Sequence, residues 1–208
     1  MNAFILAGGQ STRMGRDKAL LELGGHPLIE HALGKLRALG FSPRIVGARS
    51  DLAALATVVP DNFPHTGPLG GIEAALAASN TEQNLFLPVD LPWLPAEFLR
   101  WLIERAENTN ALAAVPRLQG RPQPLCAVYS KALLPYAQAA LVADDAKVMR
   151  AVEHAANASG LRIDSFDVEP IAAAQAWEQP VPLHRWFENI NTPADFEKAA
   201  LEQSTRIH

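Results

Sequence analysis

The sequence predicts an α/β fold, a mainly parallel central sheet flanked by helices. Three observations predict it. Short apolar runs alternate with longer stretches of helical period along the 208 residues, the order produced by strands joined through helical crossovers. The first apolar run ends in glycines and two later ones end at aspartates, so flexible and charged residues gather where strands leave a sheet. Hydrophobic residues make up 49% of the chain and charged residues 19%, which fits a packed core and excludes disorder throughout.

Taken in order, Ala3 to Ala7 is an apolar run closed by Gly8-Gly9, a buried central strand feeding a loop. From Pro27 the apolar positions Ile29, Leu33, Leu36 and Leu39 step by four, three and three residues, and Gly40 follows as a C-terminal stop; this is a helix. Ile45 to Val46 reads as the second strand, Ala53 to Ala56 as a short helical piece, and Thr57 to Val59 as a short strand ending at Pro60-Asp61. Gly67-Pro68-Leu69-Gly70-Gly71 opens a helix through Ala78, and Asn84 to Val89 is an apolar strand ending at Asp90. Pro95 suits the first turn of a helix through Ala106, where its missing N–H has no partner to lose. Ala111 to Val115 is a strand, Gly120 to Pro124 a loop, and Leu125 to Tyr129 a further strand. Helical segments at Ala132 to Leu141 and Lys147 to Ala156 precede a late strand at Arg162 to Val168. Glu169 to Pro182 shows no strong period and reads as a surface excursion. Thr192 caps a last helix, with Pro193 at its first position and Asp195 three residues after the cap.

The length suits a single domain over residues 1–208. A net charge of −4 leaves no basic field to draw in nucleic acid or anionic lipid regardless of sequence. Cys126 is the only cysteine, which excludes intramolecular disulfides and multi-cysteine metal clusters and fits a cytoplasmic address. Met1 to Ala7 has no basic run and is too short for a signal-peptide core or a membrane span. His26, His31, His65, His154, His184 and His208 are scattered with no i, i+4 pair, so a histidine metal site is not expected.

Chemistry concentrates in the first loop, Leu6-Ala7-Gly8-Gly9-Gln10-Ser11-Thr12-Arg13-Met14-Gly15-Arg16-Asp17-Lys18. Glycines let the main chain approach a phosphate and turn several N–H groups into a concave anion site, while arginine and lysine add charge. The spacing matches neither the P-loop, because Ala19 follows Lys18, nor the G-x-G-x-x-G dinucleotide pattern. Arginine presents a planar fork that holds two phosphate oxygens, so Arg13 suits a leaving pyrophosphate; Lys18, a compact charge, suits the reacting phosphate. One such pair at about 4 Å and an effective dielectric near 20 is worth roughly 4 kcal/mol before desolvation, enough to matter to a barrier.

Asp90, in Leu87-Pro88-Val89-Asp90-Leu91-Pro92, stands where a carboxylate calls for a cation, and magnesium is commonly held by one or two carboxylates together with substrate phosphates. Its alternative is to cap the turn that follows. Asp61, in Pro60-Asp61-Asn62, is either a turn residue or a ligand contact. Asn189 and Asn191 alternate along an extended segment, so their amides face one side, suited to a polar heterocycle or to a turn ahead of a helix. Cys126 is expected to pack as a small buried residue, and Trp93, Trp101, Trp177 and Trp186 to pack rather than stack on bases.

These motifs resemble the molybdenum cofactor guanylyltransferase family. The resemblance rests on Leu6-Ala7-Gly8-Gly9-x-Ser11-x-Arg13-Met14-Gly15-x-Asp17-Lys18-Ala19-Leu20-Leu21, then Gly67-Pro68-Leu69-x-Gly71-Ile72, Pro88-x-Asp90-x-Pro92 and Asn189-Ile190-Asn191-Thr192-Pro193, in order over almost the whole chain. It implies a Rossmann-like nucleotidyltransferase fold that moves GMP from Mg-GTP to the phosphate of molybdenum-bound molybdopterin, releases pyrophosphate, and supplies molybdoenzyme maturation factors. It also implies that Leu6, Ala7, Gly8 and Gly9 contact the nucleotide, Lys18 the phosphates, Asp61 the guanine nucleotide and Asp90 the Mg2+, with Asn189 and Asn191 on the molybdopterin side. Members often carry an asparagine after the second strand where this chain reads Gly47-Ala48-Arg49, and Pro-Cys-Asp where it reads Pro88-Val89-Asp90. Two rival readings are CMP transfer from CTP, whose enzymes tend to read Leu-Ala-Ala-Gly in place of Leu6-Ala7-Gly8-Gly9, and a carrier that binds nucleotide and molybdopterin without chemistry.

Overall fold

The computed structural model describes residues 1–8, 17–175, 177 and 181–190. Its centre is an eight-stranded sheet. The strands are β1 (Asn2–Leu6), β4 (Arg44–Val46), β5 (Val58–Val59), β6 (Gln83–Pro88), β7 (Ala113–Leu118), β8 (Arg121–Pro122), β9 (Ala127–Ser130) and β10 (Ile163–Asp167). Their order is β10-β7-β9-β6-β1-β4-β5, with β8 hanging from β7 as a hairpin. The pairs among β5, β4, β1 and β6 are parallel, as is β7 with β10; β9 runs antiparallel between β6 and β7. The expectation of a mainly parallel sheet flanked by helices therefore holds, with one reversed strand inside it.

Alternation along β1 divides the core. Ala3 and Ile5 face one side, where α1 (Leu28–Ala38) and α3 (Ala96–Thr109) pack, while Phe4 faces the other, against α2 (Pro68–Ala78). The helices α4 (Leu134–Val142) and α5 (Val148–Ser159) join the second side. β1 is covered on both faces, which is why it reads as a continuous apolar run. α1 buries Leu28, Ile29, Ala32, Leu33 and Leu36, the stripe its spacing predicts, and Gly40 follows it at φ 86°.

Four local expectations change. The helical piece placed at Ala53 to Ala56 is a 3-10 turn at Ser50–Leu52, begun earlier by Ser50 and Asp51. The excursion at Glu169 to Pro182 starts with a helix, α6 (Val168–Gln175), whose buried residues Val168 and Ala172 lie four apart, too sparse to mark a period. The loop at Gly120 to Pro124 contains β8. Residues Leu125 and Cys126, read as strand, precede β9 in a turn in which Cys126 N–H donates to the Gln123 carbonyl. A small antiparallel hairpin of β2 (Glu22–Leu23) and β3 (His26–Pro27) was not foreseen. Thr192 and the helix expected after it lie outside the described residues. Among the described residues, no helix is long and apolar enough to cross a membrane.

Candidate active site

The chain runs from β1 out to β4 and β5, then returns to β6 on the far side of β1. Open α/β sheets bind ligands at such a reversal, beyond the carboxyl ends of the strands. Leu6 lies opposite Val46 and Pro88 in register. Val89 N–H donates to the Leu6 carbonyl at 3.2 Å and Ala7 N–H to the Val46 carbonyl at 3.2 Å, so the ladder continues just past the strands and fixes where Gly8 departs.

On the β4 side of that point two glycines meet. Gly47 has φ 130°, and a Cβ placed there would stand 3.0 Å from Gly8 Cα and 3.1 Å from Gly8 N, so only glycine permits this approach. Asp61, two residues past β5, reaches the same corner: its Oδ2 lies 3.9 Å from where a Cβ on Gly8 would project. The Oδ1 atom is buried and has no hydrogen-bond partner among the described residues. Burial pushes the Asp61 pKa up, the charge of Glu73 pushes it further, and His65 acts in the opposite sense. Glu73, on α2, is only 1% exposed and is held by Asn62 Nδ2 at 3.0 Å and Gln138 Nε2 at 2.8 Å.

On the β6 side the charges are paired. Lys18 begins a single 3-10 turn, Lys18–Leu20, capped by Asp17, whose Oδ1 accepts from Ala19 N–H at 3.0 Å. Lys18 Nζ lies 2.6 Å from Asp90 Oδ2, and each side chain is 15% exposed. Ile190 N–H donates to the Asp90 carbonyl at 3.3 Å, which sets the exposed Asn189 beside the loop. Beneath this loop Lys35 of α1 donates to the Leu91 and Pro92 carbonyls at 3.0 and 2.5 Å. Burial pushes the Lys35 pKa down to about 8, with Cys126 acting in the opposite sense. Arg185 stacks on Trp93 at 5.0 Å and pairs with Glu188 at 2.7 Å, bracing the same wall.

Leu6, Ala7, Gly8, Lys18, Asp61, Asp90 and Asn189 thus gather at one end of the sheet. Gly9, Arg13 and Asn191 lie outside the described residues. Asp90 pairs with a cation and does not cap the turn by any side-chain bond seen among the described residues. Cys126 is buried, and its thiol is pushed up to about 12 by that burial. Trp186, Trp177 and Trp101 pack with Phe98 in an aromatic cluster, as expected.

Three side chains were missed. Arg49, noted only as a departure from the family, donates to the Ala7 carbonyl, Asp17 and Asp51. Glu73 stands in an otherwise apolar helix, a signal that could have been read, since a buried carboxylate there requires partners. Lys35 adjoins the apolar stripe of α1 and carries no such signal. Among the described residues no three histidine, cysteine or carboxylate side chains converge on a metal position. A hard ion such as Mg2+ needs only one or two carboxylates when phosphates complete its shell, and Asp90, an oxygen donor already facing a cation, fits that demand.

Solved structures share this architecture. Molybdopterin-guanine dinucleotide biosynthesis protein A from Archaeoglobus fulgidus superposes with a TM-score of 0.79 at 25% identity, covering 99% of this chain and 100% of that one. The CMP:2-keto-3-deoxy-manno-octonic acid synthetase complexed with CTP shares the fold at TM-score 0.71 and 14% identity, covering 99% and 98%. A sheet that reverses at β1, with a glycine corner and a lysine–aspartate pair across it, is here the frame of a nucleotidyltransferase. Residues 3–158 match the MobA-like NTP transferase domain, and the chain belongs to that family. It is 35% identical over 197 residues to a probable molybdenum cofactor guanylyltransferase of Carboxydothermus hydrogenoformans, covering 93% of this chain and 92% of that protein. It is also 38% identical over 151 residues to the molybdenum cofactor guanylyltransferase of Vibrio atlanticus, covering 70% and 76%.

Proposed function

We propose that the chain, as one nucleotidyltransferase domain over residues 1–208, transfers GMP from GTP to the phosphate of molybdenum-bound molybdopterin in the cytoplasm. The products are the guanine dinucleotide cofactor, for molybdoenzyme maturation factors, and pyrophosphate. The observation that carries this reading is the 2.6 Å Lys18–Asp90 pair at the reversal of the sheet, because it sets a phosphate-binding cation against a metal-binding carboxylate.

The acceptor phosphate oxygen attacks the α-phosphorus in line; one P–O bond forms, the bond to the β-phosphate breaks, and pyrophosphate leaves with the electron pair. Both reactants are anions, so the obstacle is electrostatic and is met by position and charge. No general base is required, since a phosphate acceptor is ionised near neutral pH. Lys18 meets the oxygens of the reacting phosphate, Arg13 and the main-chain N–H groups near Gly8 and Gly9 the departing pyrophosphate. Leu6 and Ala7 line the nucleotide, and Asn189 and Asn191 the molybdopterin. Asp90, together with the triphosphate, would hold magnesium, which would supply positive charge against the developing phosphate charge.

Asp61 supports guanine over cytosine. An unpartnered buried polar group costs about 1 to 3 kcal/mol, and an incoming donor offsets that cost. Guanine offers two adjacent N–H donors to one carboxylate; cytosine offers an amino group beside an acceptor nitrogen that an ionised carboxylate repels.

The test is pyrophosphate release with GTP and with CTP, given magnesium and molybdenum cofactor, and mass analysis of the product. A guanine dinucleotide is expected. Preference for CTP overturns the choice of base, and GTP binding without pyrophosphate makes the chain a carrier.

A further inference from the structure

The guanidinium of Arg49 joins two ends of the chain that the nucleotide loop separates. Its Nη1 lies 3.3 Å from the Ala7 carbonyl, before the loop, and 3.2 Å from Asp17 Oδ1, after it. Nη2 reaches Asp17 Oδ2 at 2.7 Å and Asp51 Oδ2 at 2.8 Å, and Nε reaches Asp51 Oδ1 at 3.1 Å. The side chain is 12% exposed. Four of these contacts are hydrogen bonds, one from Nε, two from Nη1 and one from Nη2, and the approach of Nη2 to Asp17 is an ion pair. Nε, Nη1 and Nη2 are thus all turned to groups of the protein itself. Its role lies in what it holds.

Asp17 is the link. The carboxylate that takes the Arg49 fork also caps the turn that begins with Lys18, through Ala19 N–H at 3.0 Å. Lys18 in turn faces Asp90 at 2.6 Å. We infer that Arg49 is a positioning residue for nucleotidyl transfer: by fastening Ala7 and Asp17 to one rigid plane, it sets Lys18 against Asp90 before nucleotide arrives. Asp51 holds the guanidinium along the adjoining Nε–Nη2 edge, which helps to fix the plane that Asp17 meets. A lysine in its place presents a single ammonium, which cannot span two carboxylates and a carbonyl in one plane. This inference rests on the roles given above to Lys18 and Asp90.

The test compares Arg49→Gln, Arg49→Lys, Asp17→Asn and Asp51→Asn, with Arg49→Gln repeated in a Lys18→Ala background. Pyrophosphate release, binding of a fluorescent GTP analogue and thermal unfolding are followed for each full-length protein. Arg49→Gln and Asp17→Asn should each lower kcat about 10-fold, since small misplacements of a reacting group are costly. The double variant should fall no further than the weaker single, and Arg49→Lys should recover part of the loss. Asp51→Asn, which leaves the Ala7 and Asp17 links in place, should lose much less than Arg49→Gln at a comparable fall in Tm. In the Lys18→Ala background the Arg49 change should cost neither turnover nor analogue binding. Undiminished kcat in Arg49→Gln, or its full cost persisting without Lys18, overturns the inference. A wild-type protein that releases no pyrophosphate sinks the transfer reading instead, and the dependence of analogue binding on Lys18 still decides the role of Arg49.

Discussion

The two halves of the site differ in how their charges are satisfied. On the β6 side Lys18 faces Asp90, and a half-buried cation, Lys35, holds the carbonyls just beyond. On the β4 side Asp61 keeps a buried oxygen without a partner among the described residues, and the charge beneath it is a carboxylate, Glu73. One half is arranged in advance and the other is left in deficit. Under the proposed function the contrast separates two tasks: transfer needs charges fixed in place before reaction, whereas selecting a base needs acceptors that only the right ligand fills.

The largest effect should follow from breaking the arranged half. Asp90→Ala or Lys18→Ala is expected to lower turnover about 10²-fold or more, the scale of losing one preorganised charge in an active site. Lys18→Ala also takes from Asp90 the cation it faces at 2.6 Å, so that variant is not expected to be stabilised. Near-normal pyrophosphate release in both would erase the distinction between the halves.

Next comes the glycine corner that separates them. Gly47→Ala forces a side chain into a positive-φ conformation and to within 3.0 Å of Gly8 Cα, so main chain must shift. A cost of about 1 to 3 kcal/mol or more is expected, seen as a fall in Tm of several degrees. Gly8→Ala is the sharper probe, because the nearest heavy atom to its Cβ lies 3.8 Å away and Asp61 Oδ2 lies at 3.9 Å. It should fold with little loss yet narrow the space beside Asp61, lowering the ratio of GTP to CTP use. An unchanged ratio would mean that the base is selected elsewhere.

Asp61 itself should trade stability for binding. Its folded pKa is raised by burial and by Glu73, so between the unfolded and folded values the folded state binds more protons, and stability falls as pH rises through that window. Asp61→Asn removes the unfavourable charge and should raise the Tm of the free protein while weakening GTP binding about 10-fold, the loss of one charge-assisted hydrogen bond. In the wild type, GTP binding should weaken as pH falls through the raised Asp61 pKa. Affinity measured by titration from pH 7 downward, with the Asn variant as a flat control, checks both signs.

How far the sequence reveals this contrast depends on which half is considered. Asp90 and Lys18 were legible because each stands beside a sharp local marker, a strand end and a glycine-rich loop. α1 was legible from its apolar spacing and α3 from Pro95 at its start. The supporting residues were not. Arg49 acts on residues 42 and 32 positions away, and no local pattern announces such a bond. The same holds for Lys35, which reaches across 56 positions to a carbonyl that any residue could have supplied. The reversed strand β9 was also hidden, because alternation and apolarity are the same in either direction along a strand.

The smallest effect concerns the support beneath the arranged half. Lys35 has its pKa lowered from 10.5 to about 8 by burial, which outweighs the opposite effect of the neighbouring Cys126. Between about 8 and 10.5 the unfolded chain is the more protonated, so stability should rise with pH across that window. Lys35→Met, which keeps the stem but not the donors, should abolish the rise and cost turnover only a few-fold, because Asp90 keeps its bond from Ile190 N–H when Leu91 and Pro92 lose theirs. Urea unfolding at several pH values from 7 to 10 reads the first effect and steady-state kinetics the second. If Lys35→Met instead matched Asp90→Ala in lost turnover, the arrangement of charges above would depend on the cation below, and the two could not be treated as separate layers.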